Sequence, residues 1–154
     1  MAMSYNLALA RQVSPSSVLN DLKDLVGGIL TDAGQLLVVP ELIVGASTVD
    51  EPNLQELYRE EWGIDMLTSV GFALSNKTEP DLQYAAAGLM SIAAAGLAAR
   101  LDTDAGLIYQ HEKKLMRRQD GVLYLYQWWP QWNDPSVRSR LPEPVELTSD
   151  DPIA

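Results

Sequence analysis

Ser4-Tyr5-Asn6-Leu7-Ala8-Leu9-Ala10 sets Tyr5, Leu7 and Leu9 in alternation with Ser4, Asn6 and Ala8, the two-residue period of a strand with one buried face. A few residues later the period changes. Ser14-Pro15 pairs a helix N-cap with a proline at the first helical position, and Val18, Leu19, Leu22, Leu25 and Val26 then recur at helical spacing up to Gly27-Gly28. Burying that stripe is worth roughly 1.5–3 kcal/mol per large side chain, so packing rather than propensity makes it a helix.

Further along, Gln35–Val39 reads as a second strand, with Leu42–Ala46 as a continuation beyond a break at Pro40, which cannot donate to a ladder. Val49–Gly63 is weakly patterned. It carries Pro52, several acids and one short turn of helix at Asn53–Glu60, and is read as a long excursion. Asp65–Ser75 holds Val70, Phe72 and Leu74 at period two and is the central-strand candidate. Thr78-Glu79-Pro80-Asp81 opens a helix running to about Arg100, with Leu82, Ala86, Leu89, Ala93 and Leu97 on one face. Gly88 and Gly96 let it lie close to a sheet or to the first helix, although each glycine costs a helix about 1 kcal/mol relative to alanine.

After Asp102-Thr103-Asp104-Ala105-Gly106, Leu107–Arg118 alternates weakly, and Asp120-Gly121 before Val122–Gln127 is the strongest hairpin signal in the chain. The expected fold class is α+β, in the order β-α-β-β-α-β-β. An antiparallel sheet carries two helices packed on one face, ferredoxin-like with an extra C-terminal hairpin. Residues 1–132 form the single expected domain. Residues 133–154, with Pro135, Pro142, Pro144 and Pro152, form an acidic tail of low order.

A chain of 154 residues with 47% hydrophobic and 21% charged side chains is long enough for one core and ordinary in composition. The absence of cysteine removes disulfides, thiol nucleophiles and thiolate metal sites, and suits a reducing compartment. Met1-Ala2-Met3-Ser4-Tyr5 lacks the basic start and apolar run of a signal peptide, so a cytoplasmic location is expected. Leu82–Leu101 is broken by Gln83, Ser91 and Arg100 and rich in Ala and Gly, which favours a buried helix over a membrane span.

The formal net charge of −10 repels nucleic acid and anionic lipid and attracts basic partners. Glu51, Glu56, Glu60, Glu61 and Asp65 share a segment whose only base is Arg59. Catalytic candidates are few. His111, the only histidine, falls beside Tyr109 and Lys113 by alternation, where it is either a general base or a solvent-facing strand residue. No nucleophile elbow, phosphate loop or dinucleotide fingerprint occurs. One histidine and no cysteine do not make a zinc site, and Glu60, Glu61 and Asp65 lack calcium-loop spacing. No metal or cofactor is expected.

Lys113, Lys114, Arg117 and Arg118 form the basic cluster. On a regular strand Lys113 and Arg117 point opposite to Lys114 and Arg118, so the reading is protection of a sheet edge rather than phosphate binding. Trp128, Trp129 and Trp132 stand around Pro130 after Tyr124 and Tyr126. They read either as a cap on the open end of the core or, where exposed, as a protein-contact patch beside the acids.

Met3-Ser4-Tyr5-Asn6-Leu7-Ala8-Leu9-Ala10, Gly71-Phe72-Ala73-Leu74, Leu115-Met116-Arg117-Arg118 and Gly121-Val122-Leu123-Tyr124-Leu125 with a following tryptophan together resemble the immunity proteins of swapped polymorphic toxins, over residues 3–129. The resemblance implies a non-catalytic protein that binds a toxin domain inside the producing cell and blocks its active site, with acidic charge steering it to a basic cleft. The rival is a small ferredoxin-like enzyme or ligand-binding domain with a pocket near His111 and Glu112. A third reading is a homodimer formed through the sheet or the tryptophans.

Overall fold

A computed structural model describes residues 2–31, 35–77, 79–110, 112–142 and 144–148. The alternating opening strand, β1 (Ala2–Leu9), becomes the middle of the sheet. It is followed by α1 (Pro15–Val26), capped by Ser14 accepting from Ser17 N–H, and by three strands, β2 (Ile29–Thr31), β3 (Leu36–Val39) and β4 (Leu42–Thr48). Next come α2 (Pro52–Trp62), β5 (Thr68–Ser75) and α3 (Pro80–Arg100). The chain continues through β6 (Ala105–Tyr109), β7 (Lys113–Gln119), β8 (Val122–Tyr126), a 3₁₀ turn at Pro130–Asn133, α4 (Pro135–Arg138) and β9 (Val145–Thr148).

Among the described residues these strands form one nine-stranded sheet in the order β2-β3-β4-β5-β1-β6-β7-β8-β9. Every neighbouring pair is antiparallel except β8 with β9, which is parallel. The α+β class holds, while the ferredoxin-like order and the two-helix cover do not. Pro40 is not a break within one strand but part of the turn between β3 and β4, where Glu41 takes a φ of 65°. The Asp120-Gly121 hairpin forms as its sequence demands: both residues adopt positive φ, and Gln119 faces Val122 across a two-residue loop.

A buried cluster packs on each face of the sheet, and β1 contributes to both. Tyr5, Leu7 and Leu9 enter the larger core with Leu19 and Leu22 of α1, Phe72 and Leu74 of β5, and Met90 and Leu97 of α3. Ala8 enters a smaller cluster on the opposite face with Tyr58 and Trp62 of α2, Ile64, Met66 and Ile108. Helix α3 crosses over β1 to join β5 to β6, and it is buried around most of its circumference rather than on one stripe; Leu82 at its start stays exposed. Gly96 faces Leu25 of α1, and Gly88 faces Gln131 and Val137, so both glycines allow close approach. Among the described residues α3 is the one helix long and apolar enough to cross a membrane, and 61% of its apolar window is buried within the fold.

The stretch expected as a low-order tail differs where it is described. Val137 of α4 is buried, and β9 extends the sheet beside β8. Val145 and Leu147 alternate with Glu146 and Thr148 in that strand, and the sheet edge supplies the backbone partners that its proline-rich flanks cannot.

Candidate protein-binding surface

The acids Glu51, Glu56, Glu60 and Glu61 belong to one helix, not to a loose excursion. Helix α2 buries Tyr58 and Trp62 at i and i+4, with Leu54 half-buried one turn earlier, and Glu56, Glu60 and Glu61 share the remaining positions with Asn53, Gln55, Leu57 and Arg59. Pro52 is its first residue and Gly63 its left-handed C-cap. Glu51 is the N-cap, its carboxylate accepting from Asn53 N–H at 3.1 Å and Leu54 N–H at 3.0 Å. Glu56, Glu60 and Glu61 are exposed. Asp65 holds Arg59 at 2.6 Å, and that hydrogen bond, with the charge behind it, pushes the guanidinium pKa up. The negative face of α2 therefore centres on Glu56, Glu60 and Glu61.

The basic cluster is not at an edge. β7 lies between β6 and β8, and a bulge at Leu115 interrupts the alternation. Lys114 reaches over the Trp62 ring at 5.1 Å and Arg117 lies against Gly63, so both sit under the C-terminal end of α2. Arg118 turns to the other side, buried, donating to Thr103 C=O and pairing with Asp102 at 3.0 Å. Trp62 is thus a functional neighbour that the sequence reading passed over; its spacing from Leu54 and Tyr58 was the available signal.

The three later tryptophans divide by burial. Trp132 is fully buried and offers no surface to a partner; its indole N–H donates to Leu115 C=O at 2.7 Å. Trp129 is half-buried, donating to Ser91 Oγ on α3 at 2.9 Å and packing on Tyr5 at 5.6 Å. Trp128 keeps 36% of its surface, donates to Lys114 C=O at 2.5 Å and lies under Lys113 Nζ. Trp128 and Trp132 therefore satisfy successive carbonyls at the β7 bulge, where β8 is running out. Beside them burial, then the neighbouring Tyr109, raises the Tyr5 phenol to about 12. Lys114 links α2 to the exposed tryptophan: its side chain lies on Trp62 and its carbonyl accepts from Trp128.

His111 lies outside the described residues, and Glu112 is exposed in the turn before β7. The enclosed space nearest to this turn is instead a groove of about 470 Å³ between α2 and the sheet, lined by Asn6, Leu54, Tyr58, Met66, Ser69 and Gln110 among others. Its polar floor is internally paired: Ser69 Oγ donates to Asn6 Oδ1 at 2.5 Å, and Asn6 Nδ2 donates to the Tyr58 hydroxyl at 3.3 Å. Burial raises the Tyr58 pKa, partly offset by Asn6. Among the described residues no group of three or more acidic or histidine side chains is placed to hold a metal.

A family model described as SitI3-like matches residues 3–136. The chain belongs to the SitI3-like family. Proteins of this type are immunity proteins, which makes another protein, a toxin, the partner class. Comparison with curated proteins and with solved structures returns no match.

Proposed function

We propose that this SitI3-like chain neutralises a toxin domain in the cytoplasm of the cell that makes it, by covering the toxin rather than by chemistry. The family match over residues 3–136 carries the reading. Helix α2 supports it, because an exposed row of Glu56, Glu60 and Glu61 on a chain of net charge −10 steers a basic toxin toward that face. Trp128, partly exposed and held by Lys114, supplies an aromatic anchor nearby.

The test is binding between this chain and the product of the adjacent reading frame, measured at low and high salt. The expected result is tight association that weakens as salt rises, with Glu56→Lys, Glu60→Lys and Glu61→Lys together lowering the association rate by about tenfold or more. No measurable affinity at low salt would remove the reading.

A further inference from the structure

On the α3 side of the sheet, where β1 begins and β5 ends, a pocket of about 270 Å³ opens beside the first turns of α3. Tyr5, Tyr84 and Trp129 give it three aromatic walls, with Pro80, Pro130 and Gln131 around them, and no charged side chain lines it. The polar atoms of these walls are already engaged. The Tyr84 hydroxyl donates to Asp134 Oδ2 at 3.0 Å, the Trp129 N–H to Ser91 Oγ at 2.9 Å and Gln131 Nε2 to Tyr84 C=O at 3.1 Å. What the pocket offers is therefore ring surface, and Tyr84 keeps 47% of its own exposed. The Gln131 amide oxygen, packed against Gly88, is buried without a donor and adds negative potential to its wall.

The pocket is smaller than the roughly 300–1,000 Å³ of small-molecule sites and takes a single side chain. Charge decides which. Hydrogen bonds from the Ser136 hydroxyl and N–H, then from Tyr84, hold the Asp134 carboxyl below the usual carboxylate range, so it is ionised behind the Tyr84 ring. Glu79 and Asp81 flank Pro80, both exposed, and the Glu79 carboxylate makes no capping bond to α3. Lys77, the base closest to them in sequence, lines a different hollow with Ile43 and Ala73. Aromatic rings backed by carboxylates attract a cation to within about 6 Å of a ring centroid.

We infer that this pocket receives one Lys or Arg side chain of the toxin domain, seated on the rings of Tyr84 and Trp129 in the negative field of Asp134, Glu79 and Asp81. Tyr5 borders both this pocket and the groove beside α2, and Trp129 leads from it to Trp128 at 5.8 Å, so the pocket continues the surface described above. The inference rests on the toxin-binding reading and adds a docking pocket and the side chain that fills it.

The experiment measures binding of the adjacent-frame product at low salt to wild type, Tyr84→Leu, Tyr84→Phe and Gln83→Lys, with Leu147→Lys as a control outside the pocket. Urea unfolding of each variant is followed in parallel. Tyr84→Leu keeps apolar bulk and loses the ring, and is expected to bind about tenfold weaker. Tyr84→Phe keeps the ring and should bind within about threefold of wild type. Gln83→Lys sets a cation of the chain's own at the pocket and should weaken binding by about 30-fold or more, and Leu147→Lys by less than about twofold. Each Lys and Arg of the toxin domain is then replaced by methionine and tested against wild type and Tyr84→Leu. One such residue should cost about tenfold against wild type and almost nothing further against Tyr84→Leu. Gln83→Lys and this cycle keep the test decisive where Tyr84→Leu lowers the urea midpoint. Wild type that binds while Tyr84→Leu or a stably folded Gln83→Lys binds equally well overturns this inference and leaves the toxin-binding reading standing. Tyr84→Phe as weak as Tyr84→Leu assigns the effect to the hydroxyl and overturns it, as does a toxin in which no basic residue couples to Tyr84. Wild type without affinity removes both.

Discussion

Replacing Trp132 by phenylalanine isolates what the tryptophan-rich segment does for the sheet. Trp132 has no exposed surface, and its N–H is bonded to the carbonyl of Leu115, the residue at the β7 bulge. Phenylalanine keeps most of the ring but removes buried atoms equivalent to one or two methylenes, about 0.8–1.6 kcal/mol. It also leaves a buried carbonyl without its donor, about 1–3 kcal/mol. The sum is about 2–5 kcal/mol, a large part of the roughly 5–15 kcal/mol that holds a domain together. With a urea slope of about 2 kcal/mol per molar, the midpoint falls by about 1–2.5 M with the slope unchanged. Circular dichroism is the appropriate signal, since the substitution alters the fluorescence. Trp128→Phe is the internal comparison: its carbonyl partner Lys114 C=O lies near the surface and can be hydrated, so the loss should stay under about 1 kcal/mol. Equal losses for the two variants, or a Trp132→Phe loss below about 1 kcal/mol, would refute the assignment of Trp132 as the donor that completes the bulge.

Gly106→Ala should destabilise the fold by about 1–3 kcal/mol, because the new Cβ falls directly on Ile64 Cδ1 beneath α2; adding Ile64→Val should recover part of the loss in a urea double-mutant cycle. The Tyr5 phenol is raised to about 12 from 10.0 by burial and by Tyr109, so the fold favours its neutral form. Its contribution is complete below pH 10 and is lost as pH rises toward 12. Tyr5→Phe should remove that alkaline component from the pH dependence of unfolding, and an unchanged slope between pH 10 and 12 would contradict it.

The sequence carried the local elements better than their arrangement. β1, α1 and the Asp120-Gly121 hairpin each have an uninterrupted period or a turn pair that only one backbone geometry satisfies, and α3 showed in its length, its alanine content and the proline that opens it. Helix α2 was legible only as a short turn at Asn53–Glu60, because its buried stripe is only Leu54, Tyr58 and Trp62, set among acids after a proline. β2, at three residues, has too few positions to show a period. The bulge at Leu115 moved Lys114 and Arg117 to one face, a shift that no alternation can announce. Acidic character at 51–65 was legible; that Asp65 is held by Arg59, that Glu51 is engaged as a cap and that Trp132 is interior required neighbours distant in the chain.

The strand at the centre of the sheet leaves the ribosome before both strands that flank it. Leu9 pairs with Thr68 on one side and with Ala105 on the other. At about 5–20 residues per second of synthesis, Leu7 and Leu9 wait roughly 3–12 s for β5 and longer for β6. During that interval an apolar segment that will be shielded from both sides has no partner of its own, and it is a natural substrate for a nascent-chain chaperone. Yield in the cell should therefore follow translation speed and chaperone supply more closely than it follows the stability of the finished protein.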